Sequence, residues 1–181
     1  GAKGGEANPT EGLLPALHPL ARELAPTLLI KDCGGGGRCC PNSVACSART
    51  LGIAECTGDE LRARVVAHGR QILLEEDEAG GYWVRGTGRQ PSTTAREMME
   101  AALASWIHKV LPPGETGVVP AEKWLDLMAR PWMWGDQMFL GLAADLLGAR
   151  VCYYAMGRNG VLSHKGIIWP SHRTVAHHVI M

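Results

Sequence analysis

Four consecutive glycines, Gly34 to Gly37, separate a short β-favouring run from a pair of cysteines, and no other stretch limits the fold as tightly. The segment reads Asp32-Cys33-Gly34-Gly35-Gly36-Gly37-Arg38-Cys39-Cys40-Pro41-Asn42-Ser43-Val44-Ala45. Leu28 to Lys31 predicts a strand before it. Residues 40–51 predict a helix after it, with Val44, Leu51 and the alanines turned to a core and Pro41 in the first turn, where its missing N–H costs nothing. Strand, glycine loop, cysteine and helix is a layout that serves a cysteine nucleophile. Loop glycines let backbone N–H groups turn inward to a developing oxyanion. A helix that begins at the sulfur sets its positive dipole end there and favours thiolate. The partner base has to come from elsewhere in the chain, and the pair His177-His178 is the best candidate.

Composition narrows the class. The 181 residues suffice for one domain with a core of its own, and 46% hydrophobic with 20% charged residues is the balance of a folded chain. Eighteen basic residues face eighteen acidic ones, so there is no electrostatic footprint for nucleic acid or an anionic membrane. No apolar run reaches the roughly 18 residues of a membrane span. The six cysteines, at 33, 39, 40, 46, 56 and 152, include no two-residue spacing of a zinc knuckle or a thioredoxin motif. With no secretory leader visible, they read as reduced thiols of an intracellular, cytoplasmic chain, and all but Cys39 as packing residues. The start at Gly1 suits a fragment of a larger protein or a trimmed chain. Neither metal nor cofactor is expected.

Residues 1–12, rich in Gly, Pro and small polar types, predict a flexible lead-in to a domain over 13–181. Leu13 to Leu24 has helical spacing interrupted by Pro15 and Pro19. Thr57-Gly58-Asp59-Glu60 is a capping box that opens a helix to about Glu76. The acidic run Glu75–Glu78 reads as a solvated helix end, and residues 79–93 as loop. Thr94-Ala95-Arg96-Glu97 is a second capping box, for a helix to about Leu111, followed by a breaker segment at 112–120. Short and long helices follow at Ala121–Ala129 and Met138–Leu147, the second closed by Gly148. Strands are expected at Arg150–Met156, Val161–Trp169 and Thr174–Met181, with a turn at Asn159-Gly160. Helices first and consecutive strands late argue an α+β fold, helices packed around a small central sheet.

Three blocks, in order, resemble the ovarian-tumour (OTU) family of deubiquitinases, which are cysteine proteases with a papain-type fold. Asp32 through Cys39 is similar to the family's Asp-x-x-Gly-Asp-Gly-Asn-Cys, which makes Cys39 the nucleophile by alignment. Trp134-Gly135-Asp136 with the helix and strand behind it resembles the family's Trp-Gly helix–strand unit. Val175-Ala176-His177-His178-Val179-Ile180 resembles the closing strand, where the catalytic His precedes an aromatic residue. On this register His177 is the base and His178 fills the aromatic position; the two face opposite sides of a strand, so only one can meet Cys39.

The resemblance implies an acyl transfer on the C-terminal glycine of ubiquitin or a ubiquitin-like protein, by a monomer. The oxyanion would rest against backbone N–H groups of Gly36, Gly37 and Arg38, and Trp134 with His178 would border the groove for an extended Gly-Gly tail. The chain departs from the family at Gly36, usually acidic; at Cys40-Pro41-Asn42, usually apolar-Phe-Arg; and at Val179, often Asp or Asn. The orienting acid is thus left between Asp32 and Asp136, or replaced by a backbone carbonyl that fixes the tautomer. With Gly36 in place of an acid, residues 33–38 are expected to settle only when a tail fills the groove. The alternative is a catalytically weak OTU-like module that binds ubiquitin or another partner. A phosphate loop lacks its Gly-Lys-Ser/Thr, and a dinucleotide fingerprint lacks its third glycine. A zinc module from Cys39, Cys40 and the late histidines is oddly spaced.

Overall fold

The computed structural model describes residues 36–115, 117, 119–156, 162–171 and 177–180, and at 155–156, 162–164 and 177–180 only the backbone. The expected strand at 28–31, the broken helix at 13–24, the lead-in and the Asn159-Gly160 turn lie outside the described residues.

Helix α1, Cys39–Thr50, buries Pro41, Val44, Ala45 and Ala48, an i, i+3, i+4, i+7 spacing that puts one stripe on the core. It lies close along α2, Gly58–Ala79, because Gly58 has no side chain: a Cβ there would fall 1.8 Å from Asn42 Oδ1. Thr57 opens α2 by accepting from Glu60 N while Glu60 returns a carboxylate to Thr57 N, the reciprocal box that the sequence predicts. Thr94 and Glu97 do the same for α3, Ala95–Leu103. α3 is shorter than expected, since the chain tightens into a 3-10 turn over Ala104–Lys109. The acidic end of α2 also departs from a solvated face. Glu76 accepts from Ala95 N at 2.5 Å and Arg96 N at 3.2 Å, so it caps α3, and Asp77 pairs with Arg96. Within 79–93, Trp83 is buried and Val84 bridges Thr93.

Helix α4, Ala121–Met128, and helix α5, Gln137–Leu147, complete the helical layer. α5 is buried nearly all round, as its apolar sequence demands, and forms the centre of the core. Gly69 of α2 lets Leu125, Leu142 and Met99 close on it from three helices. Gly148, at φ 59°, turns the chain from α5 into β1.

The sheet has order β2-β1-β3. β1 (Ala149–Met156) pairs antiparallel with β2 (Leu162–Ile168), with an irregularity at Tyr153/Tyr154, and parallel with β3 (His177–Ile180). The fold is α+β, with α5 against β1 and β2 and α1 against β3. No helix among the described residues is long and apolar enough to cross a membrane.

Candidate functional site

Cys39 is the first residue of α1 and is half-buried. The N-cap is Arg38, whose side chain makes no capping hydrogen bond, so no side chain of the cap occupies the first-turn amides. Before it, Gly36 and Gly37 adopt φ of +68° and +85°, a region that other residues enter only under strain. The two are not equivalent. A Cβ at Gly36 would meet open space, whereas one at Gly37 would lie 1.9 Å from the Trp132 carbonyl oxygen. Gly37 is therefore pressed against the turn that carries Trp132 to Trp134.

Arg62 of α2 holds that contact. It is 3% exposed and sits under the glycine loop. Its Nη1 donates to Met128 O at 2.7 Å; its Nη2 donates to both Gly37 O at 2.8 Å and Met133 O at 2.7 Å. Its guanidinium carbon lies 5.7 Å from the centre of the Phe139 ring. Burial lowers its pKa, and the neighbouring Cys40, Asp59 and Cys39 act in the opposite sense. The sequence predicts that the loop orders only on substrate binding; for Gly37 the structure differs, because a guanidinium 25 residues further on already fixes its carbonyl.

Cys40 faces inward. A Cβ at Gly135 would lie 2.6 Å from its sulfur, so the Trp134-Gly135-Asp136 segment packs directly behind it. Burial, with smaller contributions from Cys39 and Asp136, pushes its thiol up to about 12, while Arg62 pulls the other way. Cys40 is thus kept protonated in the fold. Cys56 and Cys152 are buried in the core region, Cys46 is half-buried, and Cys33 lies outside the described residues.

Asp136 is held by three donors. Its Oδ1 caps α5 by accepting from Phe139 N at 2.9 Å, and its Oδ2 accepts from the indoles of Trp106 at 3.1 Å and Trp124 at 2.9 Å. Trp124 is fully buried, so this carboxylate serves as the polar partner of two core aromatics. Asp32 lies outside the described residues. His177 and His178 belong to β3, where they pair with Ala149 and Arg150 of β1, and β3 packs on α1. Their side chains lie outside the described residues. Trp134 and Trp132 are 61% and 66% exposed on either side of buried Met133, so the turn presents two indoles to solvent beside the glycine loop.

Sequence reasoning missed Arg62, Trp132 and a buried polar link further along α5. There Asp145 receives His68 Nε2 at 2.6 Å and the Ser171 hydroxyl, tying α2 to the segment after β2. Arg62 did leave a signal: the buried positions of α2 run 58, 61, 62, 65, 66, 69, 72, 73, so it falls inside the apolar stripe. A cleft of about 560 Å3 bordered by Arg38, Asp59, Arg62 and Arg70 lies on one side of this centre. A larger one of about 940 Å3, bordered by Asp136, Gln137, Tyr153 and Trp169, lies beyond Asp136. Among the described residues, no cluster of three or more His, Cys, Asp or Glu could hold a metal ion. Comparison with family models, curated proteins and solved structures finds no match for this chain.

Proposed function

We propose that this chain is a thiol-dependent hydrolase of the OTU type, acting on the bond after the C-terminal glycine of ubiquitin or a ubiquitin-like protein. The observation that carries the reading is local: Cys39 opens a helix whose N-cap, Arg38, makes no side-chain capping hydrogen bond, and two glycines at positive φ precede that cap. The helix packs on the strand that holds His177 and His178.

In this reading His177 takes the proton of Cys39, and the thiolate attacks the glycine carbonyl. The oxyanion is met by backbone N–H groups around Gly37, Arg38 and Cys39. His177 then protonates the departing lysine amine, and water hydrolyses the thioester to free enzyme and carboxylate. Trp134 and Trp132 border the approach of an extended tail that is narrow at its glycine end.

One observation favours the second reading, a weak or inactive module that binds ubiquitin or another partner. Asp136 is committed to a helix cap and two indoles, which leaves Asp32 or a backbone carbonyl to orient the base. Cleavage of a ubiquitin C-terminal amide separates the two. Turnover that is lost in Cys39→Ala and His177→Ala and kept in Cys40→Ala supports the hydrolase. Ubiquitin binding without turnover supports the module. Loss in His178→Ala with retention in His177→Ala moves the base by one residue.

A further inference from the structure

Burying a guanidinium away from carboxylates is expensive, and a Met or Leu inside an apolar stripe would pack at lower cost. Arg62 nevertheless occupies such a place. Among the described residues, all three of its hydrogen bonds go to backbone carbonyls, its Nε has no partner, and no carboxylate ion-pairs with it. The three carbonyls belong to separate segments: the end of α4, the Trp132–Trp134 turn and the glycine loop. One nitrogen, Nη2, joins the last two.

We propose that Arg62 is a positioning residue for the Cys39 centre, fixing the peptide between Gly37 and Arg38 so that its N–H is presented to the oxyanion. This rests on the reading of Cys39 as nucleophile. The C=O of Gly37 and the N–H of Arg38 belong to one planar trans peptide and point in opposite directions. Gly37 O is held toward the buried guanidinium, so the Arg38 N–H is turned away from the core. Gly37, at φ +85°, has no Cβ to resist that orientation, and the Trp132 backbone closes the space behind it. A fork with two donating ends suits the task, since it holds the loop, the turn and the helix end at once. A lysine keeps the charge and loses the fork.

The test compares the full chain with Arg62→Lys and Arg62→Met below each protein's melting temperature. Three quantities are read: kcat and KM on a ubiquitin C-terminal amide, the rate at which iodoacetamide alkylates Cys39, and the rate of tryptic cleavage after Arg38. Alkylation is a displacement that makes no oxyanion. The expected result is a kcat lowered about 100-fold, as for loss of one oxyanion donor, with KM and alkylation within about threefold of the parent. Cleavage after Arg38 rises about tenfold as the loop comes free. Folded variants with the parental kcat, or with parental cleavage after Arg38, overturn the proposal. Alkylation falling in step with kcat also overturns it, because the effect then lies on the thiol. If Arg62→Met does not fold, Arg62→Lys carries the comparison. If the parent chain turns over no ubiquitin amide, the function proposed above fails, and parental cleavage after Arg38 in the variants still overturns the positioning role while faster cleavage upholds its structural basis.

Discussion

Replacing Gly37 by alanine tests whether the glycine loop is built against the Trp132 turn or merely lies near it. The added methyl would start 1.9 Å from the Trp132 carbonyl oxygen and 2.3 Å from its carbon. Both are backbone atoms, so no side chain can swing aside. Reaching 3.4 Å, where ordinary contact begins, requires a shift of about 1.5 Å (3.4 − 1.9) between loop and turn. A shift of that size strains the 2.8 and 2.7 Å bonds from Arg62 Nη2 to Gly37 O and Met133 O. Losing one such bond to a charged donor costs about 1.5–3 kcal/mol. Holding alanine at φ +85° adds about 1–2 kcal/mol. The total is about 3–5 kcal/mol, or a fall in Tm of about 6–20 °C for a chain of this length. Gly36→Ala is the control. It carries the positive φ but meets open space, so about 1–2 kcal/mol and about 2–8 °C are expected. Thermal and urea unfolding followed by circular dichroism read both. Equal melting of the two variants would show that the contact with Trp132 carries no energy.

Asp136→Asn keeps shape and can still cap α5, but it turns an amide N–H₂ or a single oxygen toward two indole donors, so a loss of about 3 kcal/mol in urea unfolding is expected. Parental stability would show that the indoles find other partners. Asp32→Asn is expected to leave stability largely intact; a fall of about 10⁴ in turnover would identify Asp32 as the orienting acid. Asp145→Ala removes the acceptor that His68 and Ser171 share, and about 2–3 kcal/mol is expected from the same unfolding measurement, softened by the partial exposure of His68. Cys40 predicts an alkaline limb. Its thiol stays protonated in the fold after the unfolded chain has ionised, so the stability it contributes is complete below pH 9 and is lost between 9 and about 12, at up to about 1.4 kcal/mol per pH unit. Cys40→Ala should flatten that limb of a urea-unfolding series, and an unchanged slope would count against the buried thiol.

What the sequence discloses is mostly what local chemistry decides. Both capping boxes are legible because Thr and the Glu three residues on satisfy each other without help from elsewhere. Gly148 is legible for the same reason, since a left-handed turn ends α5. Cys39 at the start of α1 follows from the glycines before it and Pro41 after it. The reading fails where a distant partner decides. Glu76 looks like one of four solvated acids until α3 delivers the amides of Ala95 and Arg96 to it. Asp136 resembles a site residue by its place beside Trp134 and Gly135, yet its partners stand 12 and 30 residues upstream. Arg62 reads as a surface charge unless its place in the apolar stripe is given more weight than its type, and its three acceptors lie 25 to 71 residues away. Glycine alone speaks for a loose loop, and the guanidinium that fixes Gly37 is brought by another helix.

The central claim, that Cys39 is an acyl-transfer nucleophile for a ubiquitin-like tail, is tested most directly by ubiquitin bearing a thiol-reactive electrophile at its C terminus. Intact mass reads whether an adduct forms, and peptide mapping reads where. One adduct is expected, on Cys39, kept in Cys40→Ala and Cys46→Ala and lost in Cys39→Ala. No adduct on the folded chain, or an adduct carried by Cys40 or Cys46, would contradict it.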